Sequence, residues 1–177
     1  MHRIRTTTLL AAGLAAAATA TLVVLVPGTS SATSDQARAQ VAELRKTVAP
    51  YRDEARAIAD GFVRTDACTA SPAGGMGYHY VNPQRIMQPV DPSRPAILLY
   101  RDGKDGTREL SGAEFFVPDS DQDTRTDSDR PSLWGQPFNG PMPGHEAGMP
   151  VHYDLHVWTD FANPDGVFEP WNPRVTC

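Results

Sequence analysis

The sequence predicts an α+β domain in which an N-terminal helix pair, or one kinked helix, packs on an antiparallel sheet of about four strands. Three observations carry this reading. Apolar residues recur at helical spacing up to about residue 66, and beyond it in short β-branched and aromatic runs. Two Asp-Gly dipeptides sit between two of those runs, as in a β-hairpin. The helical part precedes the strands instead of alternating with them, which separates α+β from α/β.

Residues 1–32 have the layout of a secretory signal peptide. His2, Arg3 and Arg5 make a positive start, and Leu9 to Val26 is an uncharged apolar run. Pro27-Gly28 breaks it, and Ser30-Ser31-Ala32 supplies small residues for cleavage after Ala32. A retained membrane anchor is the competing reading, since the run is near the shortest that spans a bilayer. After cleavage, residues 33–177 form one domain with no stable membrane span, a helical segment over 33–66 and a β region with long loops over 67–177. An export signal implies a secreted or extracytoplasmic protein. The Ala-, Arg- and Asp-rich usage is that of a GC-rich bacterial genome.

Ser34-Asp35 reads as a helix N-cap, followed by Ala37, Val41, Leu44 and Val48 at helical spacing. Pro50 interrupts and opens a second helix, in which Tyr51, Ala55, Ile58 and Phe62 resume the period. Ser71 to Gly75 is a loop, and Met76 to Val81 is a short strand stopped by Asn82-Pro83. A proline-rich connection leads to the strand Ala96 to Tyr100. Asp102-Gly103 and Asp105-Gly106 turn the chain into the partner strand, Arg108 to Val117. Residues 118–150 are irregular, rich in Pro, Gly, Asp and Ser, with scattered Trp134, Phe138 and Met142. Val151 to Thr159 is the last strand, and a looped tail ends in Cys177.

The net charge of −5 becomes −7 once the leader, with Arg3 and Arg5 and no acid, is removed. An acidic chain without a Lys/Arg cluster argues against nucleic-acid binding. Cys68 and Cys177 are the only cysteines. In an oxidising compartment an even pair is most simply a disulfide, here closing most of the domain; two free thiols, or a cysteine metal ligand, are the alternative.

Chemistry concentrates in the histidines. His79, His145, His152 and His156 all follow the helical part. Alternation along Val151-His-Tyr-Asp-Leu-His-Val-Trp158 places His152, Asp154 and His156 on one face of one strand. Positions i and i+4 of a strand lie about 13 Å apart, so His152 and His156 cannot share an ion, whereas the i, i+2 pairs at about 6.6 Å can. The remaining ligands must come from neighbouring strands. Glu114, in the apolar run Gly-Ala-Glu-Phe-Phe-Val, and His79, between two tyrosines, are the candidates. Such a His-rich set with carboxylate suits Zn²⁺, Cu²⁺, Fe²⁺ or Mn²⁺. Buried His and Glu that only hydrogen-bond one another are the alternative.

Whether the chain is an enzyme stays open, and no catalytic residue is assigned. A metal enzyme would need an open coordination position and a base, for which Glu146 and Asp154 are the candidates. Asp119-Ser-Asp121-Gln-Asp123 opens like a calcium loop, but Thr124 stands where the motif needs Gly and Arg130 where it needs Glu. The EF-hand reading therefore fails, and a solvated acidic loop is expected. The rival function is a metal-free extracellular binding or structural module that uses exposed aromatics: Trp134, Phe138, Trp158 and Trp171.

A set of ordered motifs resembles a family of small exported bacterial proteins of unknown function. It comprises Tyr51-Arg-Asp53…Ala59-Asp-Gly61, Met76-Gly-Tyr-His-Tyr-Val-Asn-Pro83, Leu98-Leu-Tyr100, Glu114-Phe-Phe-Val117, His156-Val-Trp158 and Asn163-Pro…Trp171-Asn-Pro…Cys177, and it covers most of 48–177. The resemblance implies a secreted or periplasmic protein of this layout and supplies no activity. It ranks His79, Glu114 and His156 as metal ligands above His145, His152 and Asp154.

Overall fold

The computed structural model describes residues 29–145 and 148–177. Of the leader expected over 1–32, all but the last four residues lie outside these, as does Glu146. Helix α1 (Thr29–Val48) runs through Ser34 and Asp35, so neither residue caps it. Its face of Ala37, Val41, Leu44 and Val48 is buried, as the spacing predicts. Pro50 lies not in a second α-helix but in a 3₁₀ turn, Ala49–Arg52. Helix α2 (Glu54–Ala59) starts afresh at Asp53, whose carboxylate accepts the Ala55 N–H at 3.1 Å. That new start resets the rotation: Ala57 and Phe62 are buried, while Ala55 and Ile58, expected to face the core, are exposed.

The sheet has six strands, not four: β1 (Cys68–Ser71), β2 (Gly74–Val81), β3 (Ile97–Asp102), β4 (Arg108–Pro118), β8 (His152–Val157) and β7 (Asn139–Met142), in that spatial order and all antiparallel. The inner four are those the sequence predicts. The two outer strands have no β signal, because β7 contains Gly140 and Pro141 and β1 only four small residues; edge positions tolerate both. A separate two-stranded ribbon, β5 (Ser132–Leu133) with β6 (Gln136–Pro137), turns at Trp134-Gly135. Both of those residues have positive φ, as a type I′ turn requires. The stretch 118–150 is thus more structured than its composition suggests.

The two faces of the sheet differ in chemistry. On one face Val41, Leu44 and Val48 of α1, with Ala57 and Phe62, pack on Tyr80, Leu98, Tyr100, Phe115, Leu155 and Val157. This is the main core, and each aliphatic side chain so buried contributes roughly 1.5–3 kcal/mol of transfer free energy. Polar contacts fix the helices at its rim: the Tyr100 hydroxyl donates to the Tyr51 carbonyl at 2.6 Å, and Arg52 pairs with Asp160 at 2.6 Å. The opposite face has only a small apolar cluster, Ile97, Leu99 and Phe116. There the histidines and acids lie.

The Cys68–Cys177 disulfide is formed, with its Cα atoms 5.5 Å apart. Just before it, Asn172 and Gly75 exchange two backbone hydrogen bonds of 3.0 and 3.1 Å. A Cβ on Gly74, whose φ is +132°, would collide with the Asn172 carbonyl, so the tail can lie this close only where the chain has glycine. Among the described residues no helix is long and apolar enough to cross a membrane.

Candidate metal centre

Each group of the site comes from a different strand. Glu114 on β4 and His156 on β8 are direct cross-strand partners. Ile97 of β3 pairs with Glu114 on its other side, and His79 of β2 pairs with Leu99. His79 therefore reaches over β3 to meet Glu114. A bulge in β2 lies just before His79. Met76 is the unpaired residue there, and Gly77 follows it at φ +86°. The phase changes at that point: Met76 faces the site while Tyr78 joins the helix-side core. A Cβ on Gly77 would collide with the Tyr100 carbonyl oxygen, so the bulge needs glycine.

The three groups converge. His79 Nε2 lies 3.1 Å from Glu114 Oε2, and His156 Nε2 lies 3.6 Å from the same oxygen. The two imidazoles are edge to face, with centroids 5.9 Å apart. One ligand atom from each residue falls within 4.8 Å of the others, and among the described residues no other three His, Cys, Asp or Glu groups do so. Ligands at about 2.1 Å from a tetrahedral ion are about 3.4 Å apart, which the two measured separations bracket. Glu114 is 4% exposed and His156 0%.

The hydrogen-bond inventory at this point is incomplete. Glu114 Oε2 and both ring nitrogens of His156 are shut off from solvent, and none has a well-aligned hydrogen-bond partner. Unpaired buried acceptors and donors are costly, on the order of 1–3 kcal/mol each and more when charged. The residues could thus hold a cation: three ligand atoms lie within 4.8 Å of one another, and a neighbouring carboxylate adds negative charge. That carboxylate is Asp154, whose Oδ1 lies 3.5 Å from His156 Nδ1 and 3.4 Å from the Asn139 amide nitrogen on β7. Burial alone would push the His156 pKa down, but Glu114 and Asp154 outweigh it and raise the pKa to about 8. Asp154 shifts the opposite way: burial works against its charge, and His156, Asn139 and His152 together bring its pKa below the usual value. Both directions describe one buried His⁺–carboxylate pair.

The structure sorts the sequence candidates. His79, Glu114 and His156 come together, and Asp154 stands behind His156. His152 is two residues off on the same face and does not join: its ring stacks on Phe116 at 4.7 Å and its Nδ1 lies 3.1 Å from the Pro150 carbonyl. His145 sits against His152, with centroids 5.2 Å apart. The three convergent groups open onto a cavity of about 350 Å³, walled also by Val63, Thr65, Met76 and Met149. Asn139 was not picked out from the sequence, and nothing in Phe-Asn-Gly-Pro could have marked it.

Two further expectations are corrected. Of the four aromatics proposed as an exposed binding surface, Phe138 and Trp158 are buried; Phe138 joins the main core, and the Trp158 indole N–H donates to the Glu169 carbonyl at 2.6 Å. The acidic run 119–129 is not uniformly solvated either, since Asp119 is 2% exposed. Comparison with protein-family models, with curated proteins and with solved structures finds no match for this chain.

Proposed function

We propose that the chain is an exported protein that binds one divalent transition-metal ion through His79 Nε2, Glu114 Oε2 and His156 Nε2. The observation that carries this reading is the convergence of His79 Nε2, Glu114 Oε2 and His156 Nε2 from three strands, with Glu114 Oε2 and the His156 nitrogens shut off from solvent and without a well-aligned hydrogen bond. Two imidazoles and one carboxylate form a donor set used for zinc with an open fourth position and for iron(II), and copper or manganese also accept it. The adjoining cavity leaves room for an exchangeable ligand on the ion. Asp154 would accept from His156 Nδ1–H, fixing the tautomer in which Nε2 is free to bind. Export is supported by the leader-like N-terminus and by the disulfide, a bond that persists in oxidising compartments.

The test is elemental analysis of untagged protein, stripped with chelator and reloaded separately with Zn²⁺, Cu²⁺, Fe²⁺ and Mn²⁺. One ion per chain is expected for at least one of them. His156→Ala and Glu114→Gln should each lose more than the roughly 10–100-fold in affinity that removal of a merely supporting neighbour costs. His152→Ala should bind normally. Failure of the wild-type protein to take up any of the four metals near stoichiometry would sink the proposal.

A further inference from the structure

The acidic loop that follows β4 contains a second cluster, chemically unlike the first. Asp119 is held against the sheet: its N–H donates to the Val151 carbonyl at 2.8 Å, and the Gln122 amide nitrogen lies 3.0 Å from the same carbonyl. The Asp119 carboxylate is cut off from solvent, and neither of its oxygens has a hydrogen-bond partner. The Asp123 N–H close by donates to Asp121 Oδ1 at 2.9 Å. Two more carboxylates crowd this buried one. Burial first, then the charges of Asp121 and Asp129, push the Asp119 pKa up.

The loop's basic residues do not answer that charge. Arg125 is bound to Asp123 at 2.6 Å and Arg130 to Asp127 at 3.1 Å. Among the described residues no Lys, Arg or His side chain forms an ion pair with Asp119, Asp121 or Asp129. Asp129 is fixed in place: it accepts from the Ser120 N–H at 3.0 Å and from the Tyr153 hydroxyl at 2.8 Å. Asp121 accepts from the Thr126 hydroxyl at 2.7 Å. A buried carboxylate with neither donor nor counter-charge is strongly unfavourable unless something positive joins it.

We propose that residues 119–129 form a calcium site, with Asp119 and Asp121 as its central carboxylate ligands and Asp129 completing the set. Calcium takes six to eight oxygens in a tolerant geometry, so ordinary carboxylates, backbone carbonyls and water suffice, and the sixth-position glycine of an EF-hand is not required. The three carboxylates do not converge as closely as the His79 group, so binding would draw the loop in. Calcium and not a softer metal is indicated because all three side-chain ligands are carboxylates. The loop is tied to β8 through Val151 and Tyr153, so the ion also buttresses the strand that carries His156. The proposal does not depend on a metal at the histidines.

The test uses purified, chelator-treated protein, titrated with CaCl₂ by calorimetry and melted with and without 10 mM Ca²⁺. Extracellular calcium modules bind at about 0.1–1 mM, so 10 mM should raise Tm by roughly 3–6 °C, with one ion per chain. Asp119→Asn should melt no lower than wild type without calcium and should lose the calcium shift. His156→Ala should keep it. If Asp119→Asn fails to fold, Asp121→Asn serves, with calcium affinity reduced at least tenfold. A wild-type protein indifferent to 10 mM Ca²⁺, or a shift of equal size in the Asp variant, overturns the site; the latter outcome means charge screening alone.

Discussion

At the residue scale, the proposed metal site would set a proton and an ion in competition for His156. Its pKa is raised to about 8 in the ion-free protein, against an ordinary histidine value of 6.5, by the two carboxylates it faces. The stabilisation this supplies is fully present below about 6.5 and is lost as pH rises through 8; it is on the order of 2 kcal/mol. Metal-stripped protein should therefore lose thermal stability between pH 6.5 and 8. Metal-loaded protein should behave in the opposite sense, because the ligand nitrogen must be deprotonated to bind. Melting curves of both forms at pH 6, 7 and 8 would check this, and Asp154→Asn should flatten the metal-free trend. Alternation put His152, Asp154 and His156 on one face, and all three line one cavity in the structure; strand spacing argues against the two histidines sharing an ion. What alternation could not show is which residues of other strands come opposite, because bulges set that register. Glu114 stood out only as an acid among apolar neighbours, and Asn139 did not stand out at all.

At the scale of elements, the decisive feature is the bulge in β2. Without it, Met76 and Tyr78 would point to the same face, and the core and the site would compete for both. Gly77 is its pivot: φ of +86° is strained for any side chain, and a Cβ would strike the Tyr100 carbonyl. Gly77→Ala should lower stability by roughly 1–3 kcal/mol from backbone strain alone, more if β3 must shift. Since His79 lies two residues on, metal affinity should fall in parallel. A chemical denaturation curve and a metal titration on the same variant would check both; a variant that melts and binds like wild type would deny the bulge this role. Elements were legible in proportion to their burial. The four inner strands have continuous apolar or alternating runs, but β1 and β7 lie at the edges, where pairing on one side suffices and no hydrophobic pattern is imposed. The helical spacing of α1 held because twenty residues average out irregularity. In α2 the cap at Asp53 restarted the rotation after Pro50, and six residues were too few for the period to reveal it.

At the scale of the molecule, the C-terminal tail closes the fold and gives the disulfide its thermodynamic weight. Cys68 and Cys177 are separated by 109 positions, so the crosslink removes most of the domain's loop freedom from the unfolded chain. The chain-entropy treatment rates such a loop at about 4–5 kcal/mol. In the folded protein, however, the tail is anchored independently: Val175 and Asn172 are buried, and Asn172 is paired with Gly75 through the backbone. Cutting the crosslink should therefore leave the native tail in place and act mainly on the unfolded ensemble. Cys68→Ser/Cys177→Ser should fold to the same structure, lose up to about 4–5 kcal/mol in urea, and keep full metal affinity when folded, since β1 touches the site only through the cavity wall. Deleting 172–177 should cost more than the double serine variant, because it also strips the Asn172 bonds and exposes the groups that Val175 covers. If the truncation and the double serine variant unfold at the same urea concentration, the tail's own packing contributes nothing, and the crosslink alone holds it.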